Sequence, residues 1–219
     1  MRISEIGKYI VYRTPYFKRL MMPSYPLKIS PGQVTALLNA IDDSCDEESV
    51  VVEVGVARGD TSVVLLEHIK SSGRSNKCVF VDTFSGFTRE SIDFEVTRGK
   101  PRSRYDAFRY GDENQFIRNL NRLGYSNFTT LKGDAGSVDW SKAGKISAML
   151  LDIDLYEPTI KTLRGVWPHL LPGAVVVVDD CIPNSSYDGS LQAYLEFVAE
   201  IGASERYVGG KGGVIQKPK

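Results

Sequence analysis

Three stretches of the chain, residues 49–54, 146–151 and 174–178, read as continuous apolar runs rather than alternating ones. Strands covered on both faces look like this, because neither side of the pleat meets water. Two further strand signals fall at residues 77–81 and 127–131. Segments with helical spacing separate them, at residues 61–70, 112–123, 158–170 and 190–201. In the third of these Pro158 takes the first helical position, and Ile160, Leu163, Val166, Trp167 and Leu170 share a face. Residues 205–208 and 213–216 form a closing hairpin around Gly209-Gly210-Lys211-Gly212. Strands alternating with helices require crossover connections and a mostly parallel sheet. The predicted fold class is therefore α/β. It is a doubly wound, Rossmann-like, mostly parallel seven-stranded sheet with helices on both faces and an antiparallel C-terminal hairpin.

A chain of 219 residues fits one domain with a sizeable core. Lys plus Arg (27) equals Asp plus Glu (27), which argues against a nucleic-acid partner, since such proteins carry a basic surplus. No apolar run approaches the roughly 20 residues of a membrane span. The start, Met1-Arg2-Ile3-Ser4-Glu5, lacks a signal-peptide core. Cys45, Cys78 and Cys181 are odd in number and show neither a disulfide framework nor zinc spacing, so a cytoplasmic protein is expected.

Residues 1–48 read as an N-terminal arm and a capping helix, and residues 49–219 as the main domain. The arm is basic (Arg2, Lys8, Arg13, Lys18, Arg19, Lys28) and aromatic (Tyr9, Tyr12, Tyr16, Phe17, Tyr25), with Pro15, Pro23 and Pro26 breaking regularity. An irregular arm packed on the domain, a substrate lid or homodimer contact, and attachment to an anionic surface all suit it. The capping helix opens at Ser30-Pro31-Gly32-Gln33, a capping-box pattern followed by Val34, Leu37, Leu38 and Ile41 at helical spacing.

Ligands of such sheets bind at the carboxyl ends of the strands. The first strand ends in Glu53-Val54-Gly55-Val56-Ala57-Arg58-Gly59-Asp60-Thr61. A glycine-rich turn there lets backbone approach a ligand closely and aims helix N–H groups at it. The spacing, E-x-G-x-x-x-G, is not that of the dinucleotide fingerprint. The second strand delivers Asp82-Thr83-Phe84, an acid suited to two ribose hydroxyls in a nicotinamide cofactor or an adenosyl donor alike. The third delivers Asp134 and Ala135, either an adenine contact or a turn aspartate. The fourth runs into Asp152-Ile153-Asp154 and the fifth into Asp179-Asp180. Four carboxylates at one sheet edge repel and raise one another's pKa. A hard divalent cation, Mg²⁺ or Mn²⁺, removes the conflict. Asp152, Asp179 and Asp180 are the expected ligands. Asp154 is either close to the metal or a loop and helix cap.

These residues resemble a known group. Leu151-Asp152-x-Asp154-Leu155-Tyr156-Glu157-x-Thr159, the Pro172-Gly173 turn, Asp179-Asp180 and Asp82-Thr83-Phe84-Ser85-Gly86-Phe87 look like the macrocin O-methyltransferase (TylF-type) family of class I methyltransferases. The resemblance covers roughly residues 50–200. It implies an S-adenosylmethionine (SAM) and magnesium-dependent enzyme that methylates a hydroxyl on a small molecule, the sugar moiety of a natural product or a glycan precursor. It implies a SAM site at Glu53, Gly55, Ala57, Gly59, Thr61, Asp82, Thr83, Phe84, Asp134, Ala135 and Asp152, and metal ligands Asp152, Asp179 and Asp180. Asp154, with Asp152, carries the expected catalysis, as base or water-mediated relay. The lysine that catechol-type relatives place just after the first metal aspartate is absent: Ile153, Asp154 and Leu155 stand there.

The insertion at about 88–111 is the expected acceptor cover. It carries Arg89, Arg98, Lys100, Arg102, Arg104 and Arg109 with Phe94, Tyr105, Phe108 and Tyr110 interleaved, which suits a sugar, an acidic or a phosphorylated acceptor; a solvated irregular loop is the plain alternative. His68, His169 and Cys181 are expected to be structural. An NAD-linked oxidoreductase, a metal-dependent hydroxylase-like relative and a catalytically silent SAM-binding subunit are the competing readings.

Overall fold

The computed structural model describes residues 5–15, 23–44, 46–185 and 187–219. Arg2, Tyr16, Phe17, Lys18, Arg19 and Cys45 lie outside the described residues. Helices α1 (Glu5–Arg13) and α2 (Pro31–Asp42) precede β1 (Val50–Val54), α3 (Asp60–Ser71), β2 (Lys77–Asp82), α4 (Arg89–Thr97), α5 (Glu113–Arg122) and β3 (Phe128–Lys132). Then come β4 (Ile146–Leu151), α6 (Tyr156–Val166), β5 (Leu170–Val178), α7 (Gly189–Glu200), β6 (Tyr207–Val208) and β7 (Gly212–Gln216). The seven strands form one sheet in the order β3-β2-β1-β4-β5-β7-β6. All pairings from β3 to β5 are parallel; β7 runs antiparallel to both β5 and β6.

Both faces of the sheet are covered, which is why its central strands carry so little alternation. Val50, Val52 and Val54 join Met149, Leu151, Val176 and Val178 on one face, packed by Ile160, Leu163 and Val166 of α6 and by Tyr194 and Phe197 of α7. Val51, Phe80, Leu150 and Val177 join the other, packed by Leu37 and Ile41 of α2 and Leu65 and Ile69 of α3. Glu53 lies between Val52 and Val54 in the chain and is buried with them. The register aligns the strand ends: Val54 faces Val81 on one side and Leu151 on the other, and Leu151 faces Val178. The next residues, Gly55, Asp82, Asp152 and Asp179, therefore leave the sheet at one level. The strand order reverses between β1 and β4, the position at which such sheets open a ligand crevice.

Four expectations need correction. The arm is not wholly irregular: residues 5–13 are helical, with Ile6, Tyr9, Ile10 and Tyr12 exposed. The cover at 88–111 is not a loop. Thr88 caps α4 through Ser91 N, and residues 102–105 form a 3₁₀ turn that buries Tyr105 against Phe87 and Tyr187. Helix α6 starts two residues early, so Pro158 is its third residue, not its first. It also ends at Val166 and gives way to a 3₁₀ turn over Trp167–His169, because Pro168 has no N–H with which to continue the helical ladder. Among the described residues no helix is long and apolar enough to cross a membrane.

Candidate functional site

A cavity of about 570 Å³ opens over the carboxyl ends of β1 to β5. Its first half is built by the loop after β1. Gly55 has φ +85°, and a Cβ there would lie 1.8 Å from the Asp152 carbonyl oxygen, so only glycine lets this loop pass the end of β4. Gly59, φ +87°, is the N-cap of α3, and a side chain there would meet the Phe116 ring at 2.9 Å. Ala57 and Phe84 also hold positive φ, at 44° and 53°. Such geometry in residues bearing a Cβ concentrates at ligand sites.

Three acids face this half. Glu53 accepts a 2.5 Å hydrogen bond from Ser62 Oγ, and burial pushes its pKa up to about 8, with Asp82 and Asp60 adding repulsion. Asp82 accepts from Val56 N (2.9 Å) and Phe84 N (2.7 Å), tying the loops after β1 and β2 together. Asp134 Oδ1 accepts from Gly136 N at 2.8 Å, the turn bond foreseen as its alternative role, while the residue still lines the cavity. Thr61, Thr83, Phe84 and Ala135 line it as well. Of the residues expected around a donor, Gly59 alone is absent from the wall; it sits behind it as the helix cap.

The second half is acidic. Asp152, Asp154, Asp179 and Asp180 all line it. Asp154 is the centre of a three-residue turn, with φ +64° and a 2.6 Å bond from Leu155 N to Ile153 O. Burial, then repulsion from Asp180 and Asp179, raises its pKa to about 8. Burial, then repulsion from Asp179, also raises Asp152 well above the carboxylate range. Asp180 holds φ +55°.

Two residues unforeseen in the sequence reading complete this half. Gln33, fully buried at the start of α2, donates through Nε2 to Asp179 Oδ1 at 2.6 Å. Its Oε1 simultaneously accepts from Ser30 N at 2.8 Å, closing the capping box. Lys211, from the β6–β7 turn, places Nζ 2.6 Å from Asp179 Oδ2 and 3.0 Å from Asp180 Oδ1. Burial alone would lower the pKa of this lysine, but the two carboxylates outweigh it and raise it.

The divalent-metal centre expected at Asp152, Asp179 and Asp180 finds no support in this arrangement. As placed, the residues do not fit such an ion. Both oxygens of Asp179 are engaged, one by an amide and one by an ammonium, and among the described residues no three His, Cys, Asp or Glu side chains converge in ligand geometry.

The cover contributes aromatic rings and no cations to the wall. Phe87, Phe108, Tyr110 and Tyr187 line the cavity; Arg89, Arg98, Lys100, Arg102, Arg104 and Arg109 do not. Several of those cations are paired elsewhere, Lys100 with Asp188 at 2.6 Å, Arg109 with Asp106 at 2.6 Å, and Arg98 with Glu95. Phe94 is likewise outside, stacked on Tyr156. His68 pairs with Asp42 at 2.9 Å, His169 sits in the 3₁₀ turn, and Cys181 packs under β7 with its thiol pKa pushed up to about 12 by burial.

A family model described as a methyltransferase domain matches residues 52–181. A curated relative, the 8-demethyl-8-(2,3-dimethoxy-α-L-rhamnosyl)-tetracenomycin-C 4′-O-methyltransferase of Streptomyces olivaceus, is 28% identical over 135 residues. That segment is 59% of this chain and 52% of the relative, so the chain spans about half the length of the curated relative it matches. Among solved structures, the O-methyltransferase NovP superposes with a TM-score of 0.67 at 18% identity, covering 85% of this chain and 80% of NovP. The calicheamicin methyltransferase CalS11 gives 0.61 at 18% identity, covering 99% and 94%. At these identities the two structures establish the shared fold.

Proposed function

Because the chain belongs to the methyltransferase-domain family, we propose that it transfers the methyl group of SAM to a hydroxyl oxygen of a sugar, with a rhamnose-type deoxyhexose as the acceptor class. The observation that carries this reading is the division of one cavity into two chemically different halves. The half beside β1, β2 and β3 has a close-approach glycine, a buried acid and two further strand-end acids. That set fits the amino-acid, ribose and adenine parts of SAM: Gly55 leaves room that a Cβ would fill, and Glu53 is a buried carboxyl in need of a cationic partner. The other half joins proton-accepting carboxylates to neutral aromatic walls.

The sugar assignment draws on the rhamnosyl acceptor in the curated relative's name and on the wall itself. Aromatic rings of the wall suit the C–H faces of a deoxysugar.

SAM, when bound, supplies an electrophilic methyl group on a sulfonium. The protein aligns the acceptor hydroxyl with it and excludes water, and positioning of this kind supplies much of the rate. As the C–O bond forms and the C–S bond breaks with its electrons to sulfur, the hydroxyl proton leaves to a carboxylate. Asp154 is the assigned base: it is buried, lines the acceptor half, and has a second carboxyl, Asp180, within hydrogen-bonding reach. No step is routed through a divalent metal, since the Lys211 ammonium already supplies a positive charge to the Asp179–Asp180 pair.

The test is an incubation with methyl-deuterated SAM and a panel of rhamnosyl and other deoxysugar acceptors, read by mass spectrometry. Label on a sugar oxygen supports the reading. Tight NAD binding with no SAM binding overturns it in favour of an oxidoreductase, and oxygen consumption without methyl transfer overturns it in favour of hydroxylation.

A further inference from the structure

Four carboxylates share the acceptor half of the cavity, and among the described residues Lys211 is the cation that pairs with two of them. Lys211 arrives on a turn whose backbone is pinned rather than pendant. Cys181 N donates to the Lys211 carbonyl at 2.7 Å. Beside it, a Cβ on Gly209 would collide with Ser30 Oγ at 1.8 Å, and one on Gly212 with Gln33 Cγ at 2.5 Å. The turn is therefore seated directly on the first turn of α2, and glycine permits that seating. The outcome is an ammonium group 2.6 Å from Asp179 Oδ2 and 3.0 Å from Asp180 Oδ1, on a side chain only 24% exposed.

A divalent ion bound by Asp179 and Asp180 would draw their oxygens to 2.0–2.1 Å in the case of Mg²⁺, and would have to do so beside the lysine's positive charge. An ammonium already at hydrogen-bond distance competes for them directly, and Gln33 holds the other Asp179 oxygen from the opposite side. We propose that Lys211 is a tethered cation that takes the place of a divalent metal in this chain. It balances the aspartate pair, fixes both carboxylates beside the acceptor hydroxyl, and leaves methyl transfer independent of added metal. The role in transfer rests on the function proposed above; the occupation of the cation position does not. Lys211 is in this sense a positioning residue that acts through Asp179 and Asp180.

The test titrates Mn²⁺, followed by electron paramagnetic resonance of the free ion, into the complex with S-adenosylhomocysteine, without any acceptor. Wild type and Lys211→Arg are expected to leave Mn²⁺ free. Lys211→Met, similar in length and neutral, is expected to gain one Mn²⁺ site, which the added Asp179→Asn change removes. A wild-type protein that binds one Mn²⁺, lost in Asp179→Asn alone, overturns the proposal, and that measurement needs no lysine variant to fold. A correctly folded Lys211→Met, judged by its thermal midpoint and S-adenosylhomocysteine affinity, that remains as blind to Mn²⁺ as wild type also overturns it. With an active acceptor in hand, EDTA is expected to leave the wild-type rate unchanged and to abolish any Mg²⁺-restored rate of Lys211→Met. The metal titration reads the proposal even if no acceptor is methylated, so its failure and that of the sugar-methylation reading are separable.

Discussion

The side-chain amide of Gln33 bridges the N-cap of α2 and the carboxylate of Asp179, accepting from Ser30 N at 2.8 Å and donating to Asp179 Oδ1 at 2.6 Å, although Asp179 lies 146 residues further along the chain. One buried side chain thus links the start of the first core helix to the acid that ends β5. Gln33→Ala removes a capping partner and leaves the nearly fully buried Asp179 one donor short. Loss of a buried bond to a charged group, together with a cap, is expected to cost about 2–4 kcal/mol. Urea denaturation measures it. A loss under 1 kcal/mol would mean that water replaces the amide.

Glu53 couples pH to donor binding. Its pKa of about 8 is raised chiefly by burial. The groups facing it are Ser62 and Asp60 of α3 and Asp82 of β2, and the two acids oppose its ionisation. A carboxyl raised in the folded state contributes stability fully below its ordinary pKa, and that contribution is lost as pH rises through the folded value. Stability of the unliganded protein is therefore expected to fall between about pH 4.5 and 8, by up to roughly 1.4 kcal/mol per pH unit from this group. Asp152 and Asp154 contribute with the same sign, so the informative quantity is the difference from Glu53→Gln, whose slope is shallower. Calorimetry supplies a second readout. The ammonium of S-adenosylhomocysteine favours ionised Glu53, so affinity is expected to rise from pH 6 to 8 with proton release, and Glu53→Gln to flatten that rise.

Asp154→Asn keeps the shape of the turn and removes the proton acceptor. With a sugar acceptor, kcat is expected to fall by about 10²–10⁴-fold, the usual worth of a general base. Affinity for S-adenosylhomocysteine is expected to stay within about twofold, since a lost base acts on chemistry and not on donor binding. A variant with unchanged kcat would move the proton-accepting role to Asp152 or to water.

Gly55→Ala tests the close approach of the donor loop. The added Cβ falls 1.8 Å from a backbone oxygen of Asp152, and φ is +85°, so the loop must move whichever rotamers its neighbours take. Calorimetry is expected to show at least a tenfold loss of S-adenosylhomocysteine affinity, about 1.4 kcal/mol. Circular dichroism should show the fold retained.

Tyr105→Ala tests whether the cover acts as a unit. Tyr105 is buried among Phe87 and Tyr187, two rings of the acceptor wall. Removing a large buried aromatic costs about 3–5 kcal/mol of local packing. The expected result is a raised KM for the acceptor with a nearly unchanged KM for SAM. Equal rises in both would mean that this cluster supports the whole cavity.

The sheet was legible because its strands are buried on both faces. Val51 and Val52 point to opposite clusters and both must be apolar, so the runs announced themselves. The strand-end acids were legible for the complementary reason: a charge directly after such a run has nowhere to go except the crevice. Gln33 and Lys211 escaped because each already had a sufficient local reading, one as a capping-box glutamine and one as a turn lysine among glycines. Their second partners are long-range contacts, 146 residues away for Gln33 to Asp179 and 32 for Lys211 to Asp179, which no local pattern encodes. The cover was misread as a loop although Thr88, Ser91, Ile92 and Val96 carry a cap and a helical spacing; its dense charges masked them. The metal expectation treated four acids as lacking a counter-charge within the chain, and the counter-charge came from a hairpin beyond all of them.

The central claim is that one cavity holds donor and acceptor end to end, with the reacting hydroxyl beside Asp154. A crystal structure of the complex with S-adenosylhomocysteine and a rhamnoside measures it directly. The account predicts the adenosyl group against Asp82 and Asp134, the amino-acid end near Glu53, and a sugar hydroxyl within hydrogen-bond distance of the Asp154 carboxylate, facing sulfur. A donor seated as described with the sugar bound elsewhere, or a donor whose sulfur turns away from the aspartates, would contradict it.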